Sequence, residues 1–133
     1  MTADSLVATL KTRVCSSTSD TYTTTEVFTG GELAALPSSS VHDVHTAYEL
    51  SSRAQRSWAA LPLRDRLAVF HRFHALLLRE RETLADLLQA ETGKARRDAF
   101  EELSEPALVT SYYLRTAAKL LRPRRRAPAS TNA

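Results

Sequence analysis

The 133 residues predict a mainly α-helical fold, three helices preceded by a short β-hairpin. Three observations carry that prediction. Apolar residues recur at helical spacing from Val44 to Leu121, the doubled Gly30-Gly31 separates two short apolar runs, and Gly93 stands alone between two amphipathic stretches. A chain of this length makes one domain. Its hydrophobic content of 43% and charged content of 25% are those of a soluble globular protein, not of a disordered one.

Residues 1–24 are rich in Ser and Thr and have little apolar periodicity, so they are expected to be extended or disordered. From Thr25 to Leu36, two short strands are expected around Gly30-Gly31, because glycine supplies the positive φ of a tight turn. An isolated hairpin is marginal in water and must lean on another element. Ser40, with Asp43 three residues on, is placed to form a capping box at a helix start. Val44, Ala47, Ala54, Trp58 and Leu61 then give one narrow apolar stripe, and Pro62 ends it.

The second helix is the most hydrophobic. Leu67, Phe70, Phe73, Leu76 and Leu77 form a broad face, and Leu84, Leu87 and Leu88 extend it. The charged run Arg79-Glu80-Arg81-Glu82 marks a bend or short break, and Gly93 is the expected left-handed closing residue. A third helix follows with Phe100, Leu103, Ala107, Val109, Tyr113, Leu114, Ala117 and Leu121 as contact residues. Pro106 predicts a kink or restart near Ser104. Residues 123–133 form a basic tail expected to be disordered. The second and third helices carry more apolar positions than three-helix packing requires, so part of this surface expects a further layer.

The net charge of +3 is unevenly placed: residues 1–40 carry −2, residues 41–121 carry +1, and the four arginines from Arg122 onward carry +4. The helical body therefore lacks the one-sided basic face of a nucleic-acid groove, and nucleic acid is not an expected partner. Arg124-Arg125-Arg126 is too short a run to change that. No apolar run reaches the ~20 residues of a membrane span. A single cysteine excludes an internal disulfide and fits a reducing cytoplasm.

Candidate chemistry is sparse. With glycine only at positions 30, 31 and 93, neither a dinucleotide fingerprint nor a P-loop can be written. Gly93-Lys94 followed by Ala95 lacks the upstream glycine and the hydroxyl of a phosphate cradle. Cys15 lies in a Ser/Thr-rich segment without a base in prospect, which favours an inert thiol over a nucleophile. His42 with His45, and His71 with His74, supply two ligands each where zinc needs a third. Glu101, Glu102 and Glu105, beside Arg96 and Arg97, read as a solvated charged face. Trp58, Tyr112 and Tyr113 read as core or core-edge aromatics, not stacking platforms. No catalytic, cofactor-binding or metal residue is assigned.

Several strings occur in an order that carries a resemblance. They are Glu26-Val27-Phe28-Thr29-Gly30, Leu33-Ala34-Ala35-Leu36-Pro37, Ala54-Gln55 with Trp58-Ala59, Arg72-Phe73-His74, Glu91-Thr92-Gly93-Lys94, Asp98-Ala99-Phe100-Glu101-Glu102, Tyr112-Tyr113 and Arg124-Arg125-Arg126. Together they resemble the N-terminal region of the NAD(P)-dependent aldehyde dehydrogenases, closest to the succinate-semialdehyde branch. The resemblance implies that residues 25–122 are a partial N-terminal domain, an incomplete piece of an α/β cofactor-binding fold. The complete enzyme would form a thiohemiacetal on cysteine, pass hydride to NAD or NADP, and use a glutamate-activated water to release the acid. The family's Pro-Trp-Asn, Glu-Leu-Gly-Gly and cysteine motifs are absent from this chain. The expectation is therefore a catalytically inactive N-terminal fragment that binds no cofactor alone. Its partner would be the remainder of the fold, in an enzyme expected to be a homo-oligomer. The alternative is a helical interaction module that uses its exposed apolar face.

Overall fold

The computed structural model of the chain describes residues 3–123. In chain order the elements are α1 (Ala3–Lys11), β1 (Thr21–Thr25), β2 (Glu32–Pro37), α2 (Val41–Ala60), α3 (Leu63–Arg79), α4 (Arg81–Thr92) and α5 (Arg96–Leu120). The two strands pair antiparallel, with Thr21 opposite Pro37, Thr24 opposite Ala34, and an irregularity between Thr24 and Thr25.

The N-terminal segment departs from expectation: α1 is a helix where an extended or disordered chain was expected. Leu6 is buried, and α1 rests against α4 and β2. Docking on preformed neighbours stabilises a nine-residue helix that could not persist alone in water. The hairpin exists, but its first strand is Thr21–Thr25, upstream of the strand expected between Thr25 and Gly30. Threonine suits an extended backbone through its β-branch. Residues 26–31 become the connecting loop instead. Glu26 N–H donates to Gly31 C=O at 2.9 Å, Gly30 N–H returns to Glu26 C=O at 2.8 Å, and Gly30 adopts φ +71°. Val27 N–H reaches across to Ala90 C=O at 2.9 Å, which ties the loop to the end of α4.

The capping box forms as its spacing predicts. Ser40 Oγ accepts from Asp43 N–H at 3.2 Å, and Asp43 Oδ2 accepts from Ser40 N–H at 2.8 Å. The charged run at 79–82 does break the second helix. Glu80, at φ −95° and ψ 8°, closes α3 through its N–H to Leu76 C=O and opens α4 by accepting from Leu84 N–H. Gly93 ends α4 in the left-handed region, φ 71° and ψ 10°, as expected. A Cβ there would sit 2.9 Å from Val27 Cγ1, so the loop and the helix end approach too closely for any side chain.

Pro106 does not interrupt α5, which runs unbroken for 25 residues. Proline removes only one helical donor, and the rest of a long helix packed on both α3 and α4 outweighs that loss. The core departs from expectation only in part: Ala107 and Ala117 were expected contact residues and are buried, whereas Ala85 and Ala99 were not expected. It is built of small residues: Ala85 in α4, with Ala99, Ala107 and Ala117 in α5, are buried together with Leu6. Small side chains let α4 and α5 approach closely, whereas the large residues expected to form the core stand at its edge. Phe70 is 48% exposed, Phe73 46%, Leu76 47% and Tyr113 55%. α2 packs broadly on no other helix, and Val44 and Tyr48 lie exposed along it.

Candidate functional site

Cys15 lies in an ordered loop, not in a loose segment. Its thiol donates to Asp43 C=O at 3.7 Å, and its carbonyl accepts from Ser39 Oγ at 2.7 Å. Ser16 and Thr18 hydroxyls both reach Ser38 C=O, fastening the loop to the approach to α2. Next to it, the buried Asp43 carboxylate is held well below its ordinary 3.8 by the Ser17 hydroxyl, then by the Ser40 N–H and hydroxyl. These groups cap a helix and solvate one permanent anion; they offer no reacting proton.

The remaining candidates are dispersed. His42, His45 and His71 are exposed and His74 is half-buried. Among the described residues no three His, Cys, Asp or Glu side chains gather as metal ligands. Glu101 pairs with Arg97 at 3.0 Å and Glu102 with Lys94, both at the surface. Tyr112 and Tyr113 meet edge to face at 5.2 Å, and Trp58 meets Phe70 likewise at 6.4 Å. Arg124, Arg125 and Arg126 lie outside the described residues.

Two arginines matter more than their sequence setting indicated. Arg96, at the first turn of α5, reaches back to α4: it contacts Glu82 Oε2 at 2.7 Å, Asp86, and Gln89 Oε1 at 3.0 Å. Its guanidinium also lies 4.8 Å from the Phe100 ring centroid. The bond to Glu82, opposed by burial and reinforced by Asp86, raises its pKa further. Partners 10 and 14 residues away cannot be found by helical i,i+4 spacing. The second is Arg66. It lines a groove of about 300 Å³ between the end of α2, the start of α3 and the last turns of α5, beside Trp58, Leu67, Phe70, Val109 and Leu114. This groove opens onto the exposed apolar face of α3 and α5. The arrangement can bind apolar polypeptide; it holds no nucleophile, base and oxyanion site in mutual reach.

The three glycines do not form a dinucleotide-binding turn. Gly93 closes a helix instead of opening one, and Val27 occupies the space where its Cβ would lie. Gly30 and Gly31 sit in a strand-to-strand connection, without the helix N-terminus that holds a pyrophosphate. No step of hydride transfer can be derived from the described residues.

The family model for the aldehyde dehydrogenase family matches residues 14–133. The chain belongs to the aldehyde dehydrogenase family. A Mycolicibacterium smegmatis protein with the provisional name succinate-semialdehyde dehydrogenase (NADP+) is 46% identical over 100 residues, covering 75% of this chain and 19% of its own length. A Mycobacterium tuberculosis protein with the same provisional name, numbered 2, is 43% identical over 108 residues, covering 81% and 21%. Among solved structures, an NAD-dependent benzaldehyde dehydrogenase from Corynebacterium glutamicum superposes with a TM-score of 0.78 at 27% identity, covering 90% of this chain and 26% of that one. The chain thus spans about a fifth of the length of the curated relatives it matches. The family read from the ordered strings, including its succinate-semialdehyde branch, agrees with these relatives. Among the described residues no helix is long and apolar enough to cross a membrane.

Proposed function

We propose that this chain serves as the N-terminal scaffold of an aldehyde dehydrogenase that oxidises succinate semialdehyde to succinate, and that the 133 residues alone catalyse nothing. The observation that carries this reading is family membership together with coverage of only about a fifth of the relatives' length. The mycobacterial relatives, similar over three quarters or more of this chain, support the substrate class. NAD or NADP is the hydride acceptor of the complete enzyme, since the relatives carry NADP in their names and the C. glutamicum enzyme is described as NAD-dependent. A cytoplasmic homo-oligomer is the proposed complete form.

The decisive experiment replaces the matched N-terminal fifth of the M. smegmatis relative with this chain. The chimera is expected to reduce NADP with succinate semialdehyde, and the free chain is expected not to. A folded chimera without dehydrogenase activity would contradict the scaffold role. The exposed apolar face favours one other reading, a helical module that binds an unrelated protein. A stoichiometric complex of the free chain with such a protein would select it.

A further inference from the structure

The groove beside Arg66 contains an electrostatic mismatch. Arg66 Nε is buried and has no hydrogen-bond partner. The neighbouring acid, Asp65, is engaged by Arg64 Nε at 3.2 Å. Thr110 and Tyr113 line the same groove, yet neither supplies an acceptor to this nitrogen. Guanidinium cannot relieve its burial by losing a proton, so an unpaired buried N–H of arginine calls for an acceptor from outside. The walls around it are apolar, and they continue into the exposed face that includes Phe70, Val109 and Tyr113. A complementary occupant therefore carries apolar side chains around one carboxylate.

We propose that Arg66 is the charged anchor of this groove, and that its acceptor is an Asp or Glu carboxylate set among apolar residues in the rest of the aldehyde dehydrogenase fold. The inference rests on the scaffold reading above. Charge complementarity selects the carboxylate, and the chain's coverage of about a fifth of its relatives supplies a source of polypeptide to carry it. Arg66 is a positioning residue: it aligns the scaffold on the remainder of the fold and touches no substrate.

The test compares Arg66→Met in two settings by equilibrium unfolding. In the free chain the substitution removes an unsatisfied buried nitrogen, so stability is unchanged or raised. In the chimera with the M. smegmatis relative it breaks a buried charge pair, and the folding equilibrium constant falls roughly thirtyfold or more. Arg66→Lys keeps the charge without the planar fork and recovers part of that loss. Opposite signs in the two settings support the proposal. A chimera whose unfolding midpoint is unmoved or raised by Arg66→Met overturns it. So does a dimer of the free chain that Arg66→Met dissociates, because the acceptor would then lie on a second copy. An unsubstituted chimera that folds but lacks dehydrogenase activity contradicts the scaffold reading separately, since the Arg66 comparison is read from unfolding alone.

Discussion

Replacing Gly93 with alanine tests whether the hairpin loop and the end of α4 form one packed unit. Gly93 has φ +71°, where an L-residue with a Cβ costs about 1–2 kcal/mol relative to glycine. The added methyl would also lie 2.9 Å from Val27 Cγ1 and 3.7 Å from Val27 Cβ. Relief requires the Val27 side chain to move, because its backbone is held by the bond from its N–H to Ala90 C=O at 2.9 Å. Overpacking of that kind costs roughly 1–3 kcal/mol. Against this stands a gain of about 0.4–1 kcal/mol, because alanine restricts the unfolded chain more than glycine does. The net loss is about 3 kcal/mol, or roughly 10 °C in Tm for a domain of this size.

Denaturant unfolding followed by far-ultraviolet circular dichroism measures the loss, and Val27→Ala separates its two parts. With Val27 truncated, Gly93→Ala should cost only about 1 kcal/mol, the residual conformational penalty. A cost below about 0.3 kcal/mol in the native background would refute the left-handed cap. An unchanged cost in the Val27→Ala background would refute the steric contact instead.

Other perturbations report on other joints. Ser40→Ala should lower stability by about 1 kcal/mol through loss of the N-cap, measured by the same unfolding assay. Asp43 contributes stability that is present above its ordinary pKa of 3.8 and is lost as pH falls below that value through the depressed folded one. Acid unfolding of Asp43→Asn should therefore lose much of the native slope below that pH; an unaltered slope would remove Asp43 from the account. Leu6→Ala should cost about 2–4 kcal/mol by opening the contact of α1, and hydrogen exchange should then rise through Ala3–Lys11 first. Arg96→Met should weaken the hold of α4 on α5, more at low salt than at high salt, because Arg96 and its two acids are partly exposed.

Local signals were legible in the chain. Ser40 with Asp43, the charged run at Arg79–Glu82 and the isolated Gly93 each act within one turn of helix, and each appears where its spacing placed it. Signals that need a partner were not. Leu6 and Leu10 lie one helical turn apart, yet the Ser/Thr-rich residues after them masked α1, whose stability comes from docking on α4 and β2. Pro106 read as a break because the packing that overrides it is tertiary. Ala85 and Ala99 were hidden for the same reason, whereas Ala107 and Ala117 already stood in the helical pattern. Large side chains dominate a hydropathy pattern, but which of them are covered depends on tertiary packing. Family membership was legible because ordered strings carry it, whereas the empty setting of Arg66 emerged only once three helices were in place.

The central claim is that these helices are scaffold for chemistry performed by other parts of the family fold. Its most direct measurement is the appearance of NADH or NADPH when purified chain and chimera are each mixed with succinate semialdehyde and the oxidised cofactor. The account predicts heat-labile formation of reduced cofactor by the chimera and none by the chain alone. Turnover by the 133-residue chain, abolished by boiling, would contradict it.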